Sequence, residues 1–346
     1  MKLLTKERAW RTYLGGLLLD EIEHQENPKD SHFPEIWMFS TTKALNSGRE
    51  DIIEGLSYLK DQNITFKDWI ENNPQVLGKQ HLEKYDSTLG VLIKLIDSAE
   101  RLTIQVHPDD NKALKLFNSP FGKTECWYIL GCRDDDACIY LGFKEGVTKE
   151  KFIDLFNKED NDGMLNCLNK IKIKPGETYL VTGGTPHAIG KGCLIVEVQQ
   201  PTDYTIRVER TTPSGFRIDD KQCHQGLGFD RMFDCFHFEN STLASILNKY
   251  QMKPKTAQVD NNTISQIVTY KNTPCFTITK IDVKDSFALD SSNSYQCLFI
   301  IEGSGVIKNT HEEIKVVPYD QVFISANEQI SISGNIKALV FTGPKD

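Results

Sequence analysis

The sequence predicts a mainly β protein built from two β-barrels, the first larger and interrupted by a helical segment, the second smaller. Three observations carry that prediction. From about residue 101, short runs of branched and aromatic residues alternate with Gly, Pro and Asp, as in RLTIQVH, ECWYILG, ACIYLGF, IKIKPGETYLV and GCLIVEVQQ. Short strands at this spacing, bounded by turn residues, are the pattern of a closed or sandwiched sheet. A single amphipathic stretch, TKEKFIDLFNK at 148–158, breaks the rhythm and reads as a helix. After the polar stretch 248–263 the β texture returns in FTITKIDV, YQCLFIIEGSGVI, IKVVPYDQVFIS and ALVFTG.

The 346 residues suffice for two cores. They divide into a domain over 1–247 with helical segments, a linker over 248–263, and a smaller barrel over 264–346. Within the first hundred residues, REDIIEGLSYLKD (49–61) has apolar residues at helical spacing. TFKDWIEN begins with Thr65 three residues before Asp68, a pattern that caps a helix start. VLIKLIDS at 91–98 is apolar except for Lys94 and the closing Asp-Ser; a lysine in such a run usually snorkels to the surface.

Composition removes several classes of function. Lys and Arg number 40 against 48 Asp and Glu, a net charge of −8. That balance argues against bulk attraction to nucleic acid or to an anionic membrane, and leaves an anionic ligand only a local basic cluster. No apolar run approaches spanning length, and the start turns polar too soon for a signal peptide, so the cytoplasm is the expected compartment. The 9 cysteines are scattered and never spaced Cys-x-x-Cys, as expected of small reduced core residues.

Chemistry concentrates in three segments. In TIQVHPDD (103–110), Gln105 and His107 are two apart, so a strand points both to one side while Ile104 and Val106 face the other. GKTECWYIL (122–130) does the same with Lys123 and Glu125. In KPGETYLVTGGTPHAIGKG (174–192) a strand runs into a Gly-Gly loop that delivers His187. Two imidazoles, one carboxylate and one amide oxygen suit a borderline divalent ion, Zn²⁺, with a position left open for substrate. One carboxylate against a divalent charge leaves the site positive, which favours oxygen-rich ligands.

The order of these segments resembles the cupin pattern, with Gln105 in the place of the first histidine and Thr182 where the second motif usually has Pro. More specifically, Gln-x-His-Pro, Gly-Lys-x-Glu-x-Trp-Tyr, Gly-x-x-His-Ala-Ile-Gly-Lys-Gly and Asp-x-x-x-Arg are similar to type I phosphomannose isomerases, short bacterial form. PEIWMFS resembles that family's Gly-Glu-x-Trp-x-x-Ser, with Pro34 at the glycine. The resemblance implies a double cupin of jelly-roll β-barrels and one Zn²⁺ held by Gln105, His107, Glu125 and His187. It implies proton-transfer and substrate-handling roles for Lys123, Glu197, Asp203 and Arg207, and substrate or phosphate binding by Lys94 and Thr103. The implied partner is a small sugar phosphate, and the implied reaction interconverts mannose 6-phosphate and fructose 6-phosphate through a cis-enediolate.

Lys123, Asp203 and Glu197 all remain candidates for the base, while Arg207 would steady the oxyanion. Three features weigh against the full set of roles. Lys123 and Glu197 would also serve as paired buried charges, and Asp203 and Arg207 are spaced to pair with each other. The lysine that longer family members carry six residues after the arginine is Pro213, for which Arg210 or Arg217 would have to substitute. A non-catalytic sugar-binding cupin and an isomerase of another sugar are therefore the alternative readings, and Gln105 disfavours an iron oxygenase. In the C-terminal barrel PYDQVFISANEQI lacks a histidine at the ligand position and His311 stands alone, so no metal is expected there.

Overall fold

The computed structural model describes residues 1–290 and 292–346. Two antiparallel sheets form the larger barrel. In the six-stranded sheet the order is Glu7–Ala9, Glu35–Met38, Leu92–Asp97, Cys193–Gln199, Glu125–Cys132, Thr178–Val181. In the five-stranded sheet it is Ile206–Arg207, Gln105–Val106, His187–Ile189, Cys138–Phe143, Leu168–Lys172. Ile96, Trp127, Ile129 and Ile195 of the first sheet pack with Ile139, Leu141 and Ile189 of the second, so one apolar layer closes the barrel. The run IKIKPGETYLV contributes to both sheets, because the Pro175-Gly176 turn separates its two strands.

A nine-stranded sheet built mainly from the C-terminal third makes the smaller barrel, with Gln296–Lys308 and Ile330–Thr342 as its longest strands. Its own core is aliphatic, centred on Ile281, Leu298, Ile300, Val322 and Ile332. The chain start joins this sheet: Lys2–Leu4 pairs antiparallel with Gln321–Ile324. A second cluster spans both barrels, bringing Leu4, Phe66, Ile93 and Val196 together with Phe276, Tyr295, Phe323 and Phe341. Phe66 and Phe323 meet edge to face with ring centroids 5.0 Å apart.

The capped helix is present at Phe66–Asn72, with the Thr65 hydroxyl accepting from Asp68 N–H. The inserted helix spans Lys149–Asn157, capped by Thr148. Two expectations are corrected. Residues 49–61 form turns, not a helix. Gly55 sits at φ +88° against Trp37, where an added Cβ would fall 2.6 Å from the ring. That close approach stops the helical spacing from propagating.

The stretch 248–263 is also not a simple linker. The helix Leu243–Tyr250 runs into it, and Lys255–Val259 pairs with Asn262–Val268 as a hairpin. Every residue of Lys255–Val259 is exposed, so this edge strand has no apolar face for the sequence to reveal. Its signal is the Asp260-Asn261 turn, with Asp260 at φ +52°. Among the described residues no helix is long and apolar enough to cross a membrane.

Because Phe323 belongs to the core that both barrels share, Phe323→Ala is expected to cost about 3–5 kcal/mol. Urea unfolding followed by tryptophan fluorescence, which reports mainly on the larger barrel, should show the loss; an unchanged midpoint would mean the barrels do not support each other.

Candidate metal centre and charged cavity

Strand register brings the donors together. Gln105 stands opposite His187 on one side and Arg207 on the other. Glu125 begins its strand opposite Gln199 and Val181. The Gly183-Gly184 loop packs on the turn that follows His107. A Cβ on Gly183 would lie 2.6 Å from Asp109 Cα, and Gly184 N–H donates to His107 O at 2.7 Å. Only a residue without a side chain allows that approach, which sets His187 beside His107.

Both imidazoles are locked by backbone carbonyls. His107 Nδ1 lies 2.9 Å from Tyr204 O, and His187 Nδ1 lies 2.8 Å from Thr185 O. A carbonyl only accepts, so each Nδ1 carries the hydrogen and each Nε2 presents a lone pair. Those lone pairs converge on Glu125, whose Oε2 and Oε1 are 3.2 Å from His107 Nε2 and His187 Nε2. All three residues are buried, and neither Glu125 oxygen receives a hydrogen bond. Lone pairs facing a buried carboxylate at this distance repel each other unless a positive charge or an N–H donor joins them, a place that Lys123 and Gln105 take in part. The donor set therefore fits a divalent ion, with ligand atoms within 4.8 Å of one another.

Two further side chains reach the centre. The Gln105 amide nitrogen Nε2 is 3.3 Å from His187 Nε2, and Lys123 Nζ is 2.9 Å from His107 Nε2 and 3.3 Å from Glu125 Oε2. Burial pushes the His107 pKa down to about 3, with Lys123 adding to the effect, so its imidazole is in the neutral, ligating form. Burial also lowers the Lys123 pKa, against the pull of Glu125.

Beside the centre lies a cavity lined by four cations and three more carboxylates. Lys94 is buried, 3.2 Å from Glu197 Oε1 and 3.9 Å from Glu35 Oε2, which corrects the snorkelling expectation. Lys94 and Glu197 are direct cross-strand partners, and this pairing explains a lysine inside an apolar run. Trp127 Nε1–H donates to Glu197 Oε2 at 3.1 Å, and burial raises the Glu197 pKa. Thr103 is buried in the cavity wall.

Asp203 pairs with Arg11, not with Arg207. The Arg11 guanidinium meets its carboxylate in two hydrogen bonds of 3.0 and 3.2 Å. Arg207 instead donates through Nη1 to Thr205 O and Gln222 O, at 3.2 Å each. No described carboxylate lies within the 4.0 Å ion-pair distance of Arg207, which leaves it a cation in the cavity wall without a countercharge. Arg210 and Arg217, the candidates for the missing lysine's place, do not line the cavity. Both turn to Glu159, at 2.9 and 3.4 Å, outside the cavity.

Sequence reasoning missed Arg11, Tyr13 and Glu35. Glu35 accepts from Tyr13 Oη at 2.7 Å, from Trp37 Nε1 at 2.7 Å and from Arg11 Nε at 3.0 Å. The available signal was Glu35 and Trp37, two apart in PEIWMFS and so on one face of a strand.

Comparison with known proteins follows this geometry. Residues 3–122 match the family described as phosphomannose isomerase type I, catalytic domain, and residues 266–342 match the mannose-6-phosphate isomerase cupin domain. The chain is 35% identical over 304 residues to the probable mannose-6-phosphate isomerase GmuF of Bacillus subtilis, covering 88% of this chain and 85% of that protein. Mannose-6-phosphate isomerase ManA of the same organism is 31% identical, covering 60% of this chain and 59% of its own. The crystal structure of the mannose 6-phosphate isomerase from Bacillus subtilis superposes with a TM-score of 0.76 at 25% identity, covering 98% of each chain. A putative mannosephosphate isomerase from Archaeoglobus fulgidus shares the fold, with a TM-score of 0.73 at 18% identity over 100% of this chain and 99% of that one.

Burial opposes the charge on Glu35, but Arg11 and Lys94 outweigh it and hold its pKa at about 2, against an ordinary 4.5. A depressed carboxylate contributes stability above its unfolded pKa and loses it as pH falls through the folded one. That contribution, on the order of 3 kcal/mol by linkage, should be complete above about pH 4.5 and gone near pH 2. Denaturant titrations of wild type and Glu35→Gln across that range should converge at the acid end; a pH-independent gap would mean Glu35 is not ionised in the fold.

Proposed function

Because the chain belongs to the type I mannose-6-phosphate isomerase family, we propose that it interconverts mannose 6-phosphate and fructose 6-phosphate with one Zn²⁺ bound at the His107–Glu125–His187 centre. The observation that carries this reading is the buried convergence of two Nδ1–H imidazoles, through their Nε2 atoms, on the Glu125 carboxylate, next to a charged cavity. His107, Glu125 and His187 hold the ion, and Gln105 completes the set by turning its amide oxygen inward. When bound, the ion supplies Lewis-acid polarisation of the sugar's carbonyl or hydroxyl oxygen.

The chain's own residues do the rest. Arg11, Lys94, Lys123 and Arg207 balance Glu35, Glu125, Glu197 and Asp203 in formal charge. A divalent ion then leaves a double positive excess, which matches a phosphate dianion. With Pro213 in place of a lysine and Arg210 and Arg217 turned away, phosphate binding falls to Lys94 and Thr103. Arg207, the cation without a carboxylate partner, steadies negative charge that develops on the sugar oxygens. The C2 proton moves to the Glu197 carboxylate, or to Lys123 in its neutral amine form, in which case the positive excess is one charge smaller, and returns at C1, passing through a cis-enediolate. Lys123 sits at the centre itself, and Glu197, whose pKa burial raises, faces Lys94 through Oε1 at 3.2 Å. Asp203 is the weakest of the three proton carriers, since Arg11 holds it ionised with both oxygens occupied.

Every residue of this reading lies within 1–247, the proposed catalytic unit, and the barrel over 264–346 is left a packing role. The 9 cysteines are all free, in keeping with a reducing compartment such as the cytoplasm.

A coupled assay with mannose 6-phosphate tests the proposal. Turnover should vanish on chelation and return with Zn²⁺, and His187→Ala should lower kcat/KM at least about 100-fold, the upper part of the range for disturbing a metal site. Chelator-resistant turnover would exclude the metal role, and turnover only on another hexose 6-phosphate would exclude the substrate.

A further inference from the structure

Arg11 lines the cavity, yet its guanidinium hydrogen-bonds to three protein side chains, Glu35, Asp203 and Asn46. Nε donates to Glu35 at 3.0 Å, and Nη1 and Nη2 grip Asp203. Its plane also lies over the Trp37 ring, 4.8 Å from the centroid. Glu35 is in turn fixed by Tyr13 and Trp37, so Arg11 is anchored on the regular strand Glu35–Met38.

The other side of Arg11 holds a segment with no regular structure. Residues 200–205 connect Cys193–Gln199 to the two-residue strand Ile206–Arg207. Asp203 is gripped there by the two-point contact. The next residue supplies Tyr204 O, which locks the His107 imidazole at 2.9 Å. The residue after that supplies Thr205 O, which accepts from Arg207 at 3.2 Å. The fork thus holds the middle of a stretch that is also tied by Leu45 N–H to Asp203 Oδ2 and by the Thr202 hydroxyl to Gly122 O, and that stretch aims a metal ligand and presents Arg207.

We infer that Arg11 is a positioning residue for the isomerase reaction: by clamping Asp203 it sets the Tyr204 carbonyl that orients His107 and the Thr205 carbonyl that holds Arg207. The inference rests on the metal-centre reading above. A bidentate pair fixes both position and rotation of a carboxylate, which a single point charge cannot do. Arg11→Lys therefore keeps the charge but loses the clamp. Arg11 does not touch the reacting atoms in this role.

The test uses the zinc-loaded protein and a chromogenic chelator. Arg11→Lys should release Zn²⁺ about 10-fold faster than wild type and lose about 10-fold in kcat, as disturbing the partner of a ligand does, with KM for mannose 6-phosphate nearly unchanged. The visible spectrum of the cobalt-substituted variant should shift as His107 tilts. Release at the wild-type rate with an unshifted cobalt spectrum would overturn the inference, as would a rise in KM alone, which would make Arg11 a direct substrate contact. If Arg11→Lys does not fold, Asp203→Asn breaks the same clamp from the other side and must show the same faster release; release at the wild-type rate from that variant overturns the inference equally. A wild-type chain that takes up no divalent ion overturns the metal reading itself, a result distinct from equal release by wild type and variant.

Discussion

The site depends on two carbonyl locks. Tyr204 O and Thr185 O fix the Nδ1–H tautomers of His107 and His187, and so force two lone pairs toward the buried Glu125 carboxylate. Without those carbonyls either ring could turn or shift its proton, and the centre would satisfy itself with internal hydrogen bonds. With them, lone pairs face each other in a dry place, an arrangement that Lys123 and Gln105 relieve in part and that a bridging cation would relieve further. The barrel supplies the rest: register places Gln105 opposite His187, and the glycine loop brings that strand against the turn after His107.

The charged cavity obeys the same logic on a larger scale. Burying a single charge costs several kcal/mol, so cations and carboxylates enter together and are hydrogen-bonded. Glu35 receives three donors, Asp203 receives the Arg11 fork, and Lys94 is wedged between Glu35 and Glu197. Arg207 differs from the others, with backbone carbonyls in place of a carboxylate as its hydrogen-bond acceptors. The shared core around Phe66 and Phe323 ties this barrel to the C-terminal one.

Much of this was legible from residue spacing. Gln105 with His107, and Lys123 with Glu125, declare themselves as two-residue alternations at strand ends, and Gly-Gly-Thr-Pro-His marks a tight delivery loop. The helix after Thr65 is equally local, because its cap and its first turn are neighbours in sequence. What failed was non-local. Nothing near Lys94 reveals that its cross-strand partner is Glu197, one hundred residues away. Asp203 looks paired to Arg207 because four residues separate them, yet its partner is Arg11 at the other end of the domain. The apolar spacing of 49–61 is overruled by the packing of Gly55 on Trp37, and the strand Lys255–Val259 carries no apolar face because it lies exposed at a sheet edge.

The measurement with the shortest path to the metal centre is anomalous diffraction at the zinc edge from crystals of the purified protein. A single strong peak bounded by His107 Nε2, His187 Nε2, the Glu125 carboxylate and the Gln105 amide is the predicted result. A map with no peak there, or with its strongest peak at another set of side chains, would contradict the reading of these residues as one cation's ligands.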